Sequence, residues 1–154
     1  MVWELVVGDG VGGSASDRMA VRIQNVTDPP ACDAAHPSRA LLWPANHKLT
    51  PVTIDGVGDP QSADPASIVI RAVTQDEPVS GPGDTGPDAV AQGATVLLRA
   101  ERTEPGNGRV YHVDFAASNR GGSCQGTVLV GVPRDASPGG TVVDNGRVYD
   151  STRQ

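Results

Sequence analysis

The sequence predicts an all-β protein, an antiparallel β-sandwich of about seven short strands. Three observations lead there. Stretches of five to ten residues alternate apolar and polar positions, the period of a half-buried strand. Gly (19) and Pro (13) gather between those stretches, where they supply turn conformations. The acidic residues are 14 Asp against 4 Glu, a balance that suits turns and not long helices. With only 3% aromatic residues, the core must be built from Val, Ile, Leu and Ala.

The strands follow in order. "VWELVVGDG" sets Trp3, Leu5 and Val7 on one face, and "DRMAVRIQNV" does the same with Met19, Val21 and Ile23. "TPVTIDGV", "ASIVIRAVTQ", "ATVLLRAE", "RVYHVDFAAS" and "GTVLVGV" continue the pattern. Between them stand GDGVGG, NVTDPP, GVGDPQSADP, EPVSGPGDTGPD, TEPGNG and NRGG, all turn chemistry.

The chain resembles itself at its two ends. "WELVVGDGVGGSASDRMAVRI" superimposes on "VDFAASNRGGSCQGTVLVGV" with one residue fewer in the second turn. Trp3 falls on Val113, Leu5 on Phe115, Val7 on Ala117, Ala15 on Cys124 and Met19 on Val128, so inward positions match inward positions. Residues 1–28 therefore read as the terminal hairpin of a preceding module plus a Pro-stiffened linker. Residues 29–133 read as one complete sandwich, and 134–154 as a linker or C-terminal tail. An isolated hairpin is marginal in water, so residues 1–26 should be frayed, docked on the sandwich edge, or strand-swapped with another copy.

The stretch "VVGDGVGGSASDRMAVRIQNVTDPP" resembles the last hairpin and exit linker of bacterial cadherin-like or Ig-like tandem modules. From "LLWPANHKLTPVTIDGV" through "GNGRVYHVDFAAS" and "GGSCQGTVLVGVP" to "VYDST", the rest is similar to an Ig-like module of secreted bacterial proteins. Ala45 stands where that module more often has Pro, and Asn119-Arg120 where it has Asp-Gly. The resemblance implies an Ig-like or cadherin-like Greek key preceded by a partial hairpin. It also implies a secreted or cell-surface, extracellular, multidomain protein whose partners are neighbouring domains of the same chain, with polysaccharide or another surface protein as further candidates.

Several residues are candidates for chemistry. Cys32 follows the linker and Cys124 lies on the inward face of the last strand, so a disulfide is preferred over two free thiols. Asp28, Asp59, Asp76 and Glu77 are candidate calcium ligands, since calcium takes oxygens from flexible loops; solvated turn carboxylates are the alternative. Trp43 and Tyr111 are the candidate aromatic platform for a sugar, against the alternative that both pack in the core, with Trp43 plugging one end. His112 is expected at an outward or rim position, and His47 with Asp55 is a candidate base and orienter, although no pair of His residues has metal spacing. An isopeptide bond would need Lys48, Asn119 and the acid Asp114 to meet.

No basic stripe accompanies the net charge of -6, which argues against nucleic acid. No apolar run approaches the roughly 18 residues of a membrane span, and no Gly-x-Ser-x-Gly elbow marks a hydrolase. The expected function is a non-enzymatic structural or adhesive spacer, with calcium as a candidate stiffener. The alternative is an accessory carbohydrate-binding module of a secreted hydrolase.

Overall fold

The computed structural model describes residues 1–22, 27–59, 65–81, 85–104, 106–135 and 140–153. Among them are ten strands: β1 (Val2–Gly8), β2 (Ser14–Ala20), β3 (His36–Pro37), β4 (Leu49–Asp55), β5 (Ser67–Gln75), β6 (Ala89–Gln92), β7 (Thr95–Arg99), β8 (Arg109–Asn119), β9 (Gly122–Val132) and β10 (Tyr149–Asp150). β1 and β2 form a sheet of their own, and the others form two four-stranded sheets, β10-β5-β8-β9 and β3-β4-β7-β6. Every strand pairing is antiparallel.

Alternation builds the core between the two large sheets. Val113, Phe115 and Ala117 of β8 join Val128, Val130 and Val132 of β9, Val52 and Ile54 of β4, and Val96 and Leu98 of β7 in one buried cluster. On β5 the alternation changes phase. Its register to β8 shifts between Ile70 and Ala72, so Arg71 is the extra residue of a bulge. Ile68 and Ile70 oppose Ala117 and Phe115 before it; Val73 and Gln75 oppose Val113 and Tyr111 after it. The bulge thus turns a polar side chain, Gln75, toward the interior.

The segment after β3 ties the two sheets along one side. His36 and Pro37 pair with β4, while Leu41 forms a parallel bridge to Gly131 of β9, with Leu42 N donating to Gly131 O at 2.8 Å. Leu42 is buried there. Trp43, expected to plug the sandwich, is instead 49% exposed. The two backbone bonds at Gly131 point Leu42 inward, and the next side chain faces out.

Residues 134–154 were expected as a linker or tail; within them, the described residues 140–153 lie against the sandwich. Tyr149 and Asp150 pair with Gln75 and Thr74 at the β5 edge. Ser151 is buried and its carbonyl accepts from Asp88 N and Ala89 N, joining the two sheets. Val142 packs beside Gly108 and Gly131, where an added Cβ would meet it at 2.9 and 2.8 Å. His112 therefore faces outward as expected but is buried, with Nε2 2.9 Å from Asp144 Oδ1.

The N-terminal hairpin stands in register but unburied: every residue of β1 and β2 is exposed.

Candidate functional site

Charge inside this sandwich is gathered where β5 and β7 end and β8 begins. Arg109 opens β8 on the inward parity shared with Tyr111 and Val113, and its guanidinium is fully buried. Nη1 donates to Asp88 Oδ2 at 2.8 Å and to the Tyr111 hydroxyl at 3.3 Å. Nε donates to Glu77 Oε2 at 3.3 Å and Nη2 to Pro78 O at 3.2 Å. The guanidinium carbon also lies 5.9 Å from the centroid of the Tyr111 ring.

Asp88 is the anionic centre. Besides Arg109, its Oδ2 accepts from Gln75 Nε2 at 2.8 Å, and its Oδ1 is 3.7 Å from Arg99 Nε. Gln75, placed inward by the β5 bulge, also donates to Glu77 O at 2.9 Å. Burial pushes the Asp88 carboxyl above the ordinary aspartate range, against the pull of the Arg109 guanidinium. Burial works to lower the pKa of Arg109, but Tyr111, Asp88 and Glu77 around it raise it on balance. The Tyr111 phenol is pushed up, chiefly by burial. Arg109 thus stays a cation and Tyr111 a neutral donor, its hydroxyl bonded to Arg99 O at 2.8 Å.

A second tier continues toward solvent. Arg99 donates from Nε and Nη2 to Pro87 O and from Nη1 to His47 O. Glu101 is buried; its Oε1 accepts from Thr85 N at 3.2 Å and its Oε2 meets His47 Nδ1 at 2.7 Å. His47, at φ 60, is half-exposed and holds the only positive φ of a non-Gly residue among the described residues. Glu77 Oε2 takes Thr103 N at 2.7 Å. These side chains satisfy backbone groups of loops that lack a ladder, and so fasten segments 76–78, 85–88 and 99–103 to β8.

The expected site residues are separated by this arrangement. Asp76 and Glu77 lie in the charged end, where Asp76 Oδ1 accepts from Val110 N and Oδ2 from Asn145 N. Asp28 is exposed at the opposite end, its carbonyl accepting from Asn119 Nδ2 at 2.8 Å, and Asp59 is buried next to the Ala31–Gly58 bridge. The four candidate calcium ligands are thus split between the two ends. Among the described residues no group of three or more His, Cys, Asp or Glu could hold a metal ion.

Tyr111 is fully buried, which removes it from any sugar platform and leaves Trp43 alone. His47 pairs with Glu101 and not with Asp55, which sits across from His36. Lys48 is exposed beside Ala100, while Asn119 lies eight residues of strand beyond Tyr111, roughly 27 Å along β8. Asp114 is held by Arg147 at 2.7 Å, so the isopeptide triad does not assemble.

Cys32 and Cys124 form a disulfide with Cα atoms 6.0 Å apart, at the linker end and far from the charged cluster. No protein-family model, curated protein or solved structure matches the chain.

Proposed function

We propose that this chain is a non-enzymatic structural or adhesive spacer module of a secreted or surface-exposed bacterial protein. One observation carries the reading: the sandwich is fastened at both ends by different means. The Cys32–Cys124 disulfide closes 92 residues of sequence separation at the linker end, and the Arg109–Asp88–Glu77 cluster ties four segments at the other. Such locks resist extension, and the side chains that form them are turned to one another and to backbone groups. The strand order β3-β4-β7-β6, and the order β5-β8-β9 to which the two-residue β10 adds an edge, support an Ig-like Greek key, whose sheets hold four and three strands in the same succession. The disulfide supports an oxidising, extracellular location. Among the described residues no helix is long and apolar enough to cross a membrane.

The test is mechanical. In force spectroscopy on the chain held at its two ends, the length between Cys32 and Cys124 should stay closed under load and be released only when a reductant is present. A chain that extends fully in oxidising buffer overturns the reading. A second reading, an accessory carbohydrate-binding module, rests on the half-exposed Trp43. Retention on a polysaccharide gel that Trp43→Ala abolishes would favour it.

A further inference from the structure

The β1–β2 hairpin carries an apolar face that nothing among the described residues covers. Trp3, Leu5, Val7 and Met19 lie on it, 59 to 67% exposed, while the opposite face carries the Glu4–Arg18 ion pair at 3.3 Å. A seven-pair hairpin of this kind is marginal alone.

The β8–β9 hairpin shows what such a face receives, because the two match pair by pair. Trp3↔Met19 takes the place of Val113↔Val128, Leu5↔Asp17 that of Phe115↔Gly126, and Val7↔Ala15 that of Ala117↔Cys124. In β8, Val113, Phe115 and Ala117 are wholly buried, since β5 pairs along the strand's free edge and the β3-β4-β7-β6 sheet lies across the face. Residues 27–29, which follow the first hairpin, rest on the turn of the second: Asp28 O accepts from Asn119 Nδ2, and an added Cβ at Gly122 would meet Pro29 Cγ at 3.0 Å.

We propose that β1–β2 is the closing hairpin of a second sandwich of the same build, its edge taken by a strand equivalent to β5 and its apolar face by a sheet equivalent to β4 and β7. The inference rests on the spacer reading and names that module's neighbour. A second copy of the chain fits the face less well. Two such faces, each about 24 Å by 10 Å, would bury on the order of 500 Å² when stacked, half of the roughly 1,000 Å² a stable interface needs.

The experiment extends the full chain before Met1 by a copy of its own residues 30–110, with Cys32→Ala in the added copy. β1 and β2 then follow the strands that β8 and β9 normally close. Trp43→Phe in both copies leaves Trp3 as the only Trp. In the extended chain the amides of Trp3, Leu5 and Val7 should gain about a hundredfold protection from exchange, and quenching of Trp3 by acrylamide should fall several-fold. Leu5→Asp should return both to the unextended values and leave the amides of 109–132 unchanged. Residues 1–20 that exchange as freely as before overturn the inference, whether or not the added strands become protected. So does a dimer of the unextended chain that Leu5→Asp dissolves, since the occupant is then a second copy. Neither readout involves load or polysaccharide, so failure of the spacer reading would show separately.

Discussion

Arg109 Nη1 donates to Asp88 Oδ2 at 2.8 Å with both side chains wholly removed from water. Two ions in that position cost desolvation, and the return comes from four further partners: Glu77, Tyr111, Pro78 and Gln75.

Breaking that pair on one side should be costly. Arg109→Met leaves the buried Asp88 with only the more distant Arg99, 3.7 Å away, as a cation, and is expected to lower stability by about 3–5 kcal/mol. Adding Asp88→Leu to it should recover part of the loss, because the poorly compensated carboxylate goes too. Urea midpoints of the two variants decide; a loss under about 1 kcal/mol for Arg109→Met would mean the cluster is not structural.

The disulfide should contribute by a different route, through the unfolded chain. A sequence separation of 92 residues corresponds to about 4.5 kcal/mol of loop-closure entropy. Reduction, or the Cys32→Ala/Cys124→Ala pair, is expected to cost several kcal/mol in urea melts without altering the pairing of β8 with β9. Equal midpoints with and without reductant would contradict this.

Much of this fold is legible in the sequence. The alternation of Val113, Phe115 and Ala117 places β8 and its inward face, and Cys124 on that same parity points at Cys32. The matched hairpins are readable because a register is only a count of residues. The charged cluster is not. Arg109 shares the inward parity, but an Arg is so often exposed that parity alone does not bury it. Gln75 reaches the interior only through the bulge at Arg71, and no residue of "SIVIRAVTQ" marks where a strand slips phase. The segment 140–151 escapes because it is held by backbone bonds to β5 and by Ser151, which a two-residue strand cannot advertise.

Gly126 should be irreplaceable for a packing reason. A Cβ there would meet the Phe115 ring at 2.8 Å, and that ring is buried, so the ring or the backbone must shift to admit it. Gly126→Ala is expected to cost about 1–3 kcal/mol, seen as a lowered melting temperature, and Phe115→Leu in the same chain should relieve part of it. The counterpart pair in the first hairpin, Leu5 with Asp17, already combines the smaller apolar residue with a side chain at the glycine position.

Acid should release the C-terminal segment before it unfolds the core. Burial works to raise Asp144, but the Gly146 N–H at 2.8 Å and His112 at 2.9 Å outweigh it and hold the carboxyl below the ordinary 3.8. The Thr152 hydroxyl and N–H, with Arg153, lower Asp150 likewise. For both groups the folded pKa lies under the unfolded one, so the native segment binds fewer protons between the two values. Its stabilisation is full above 3.8 and is lost as the pH falls through the folded values. Asp88 has the opposite sign: its raised pKa makes its burial less costly as acid protonates it, which spares the core over the same range. Hydrogen exchange followed from pH 5 down to about 3 should therefore show residues 141–151 losing protection while 111–117 keep theirs, and Asp144→Asn should flatten that dependence. Simultaneous loss in both regions would mean that the segment and the core open as one unit.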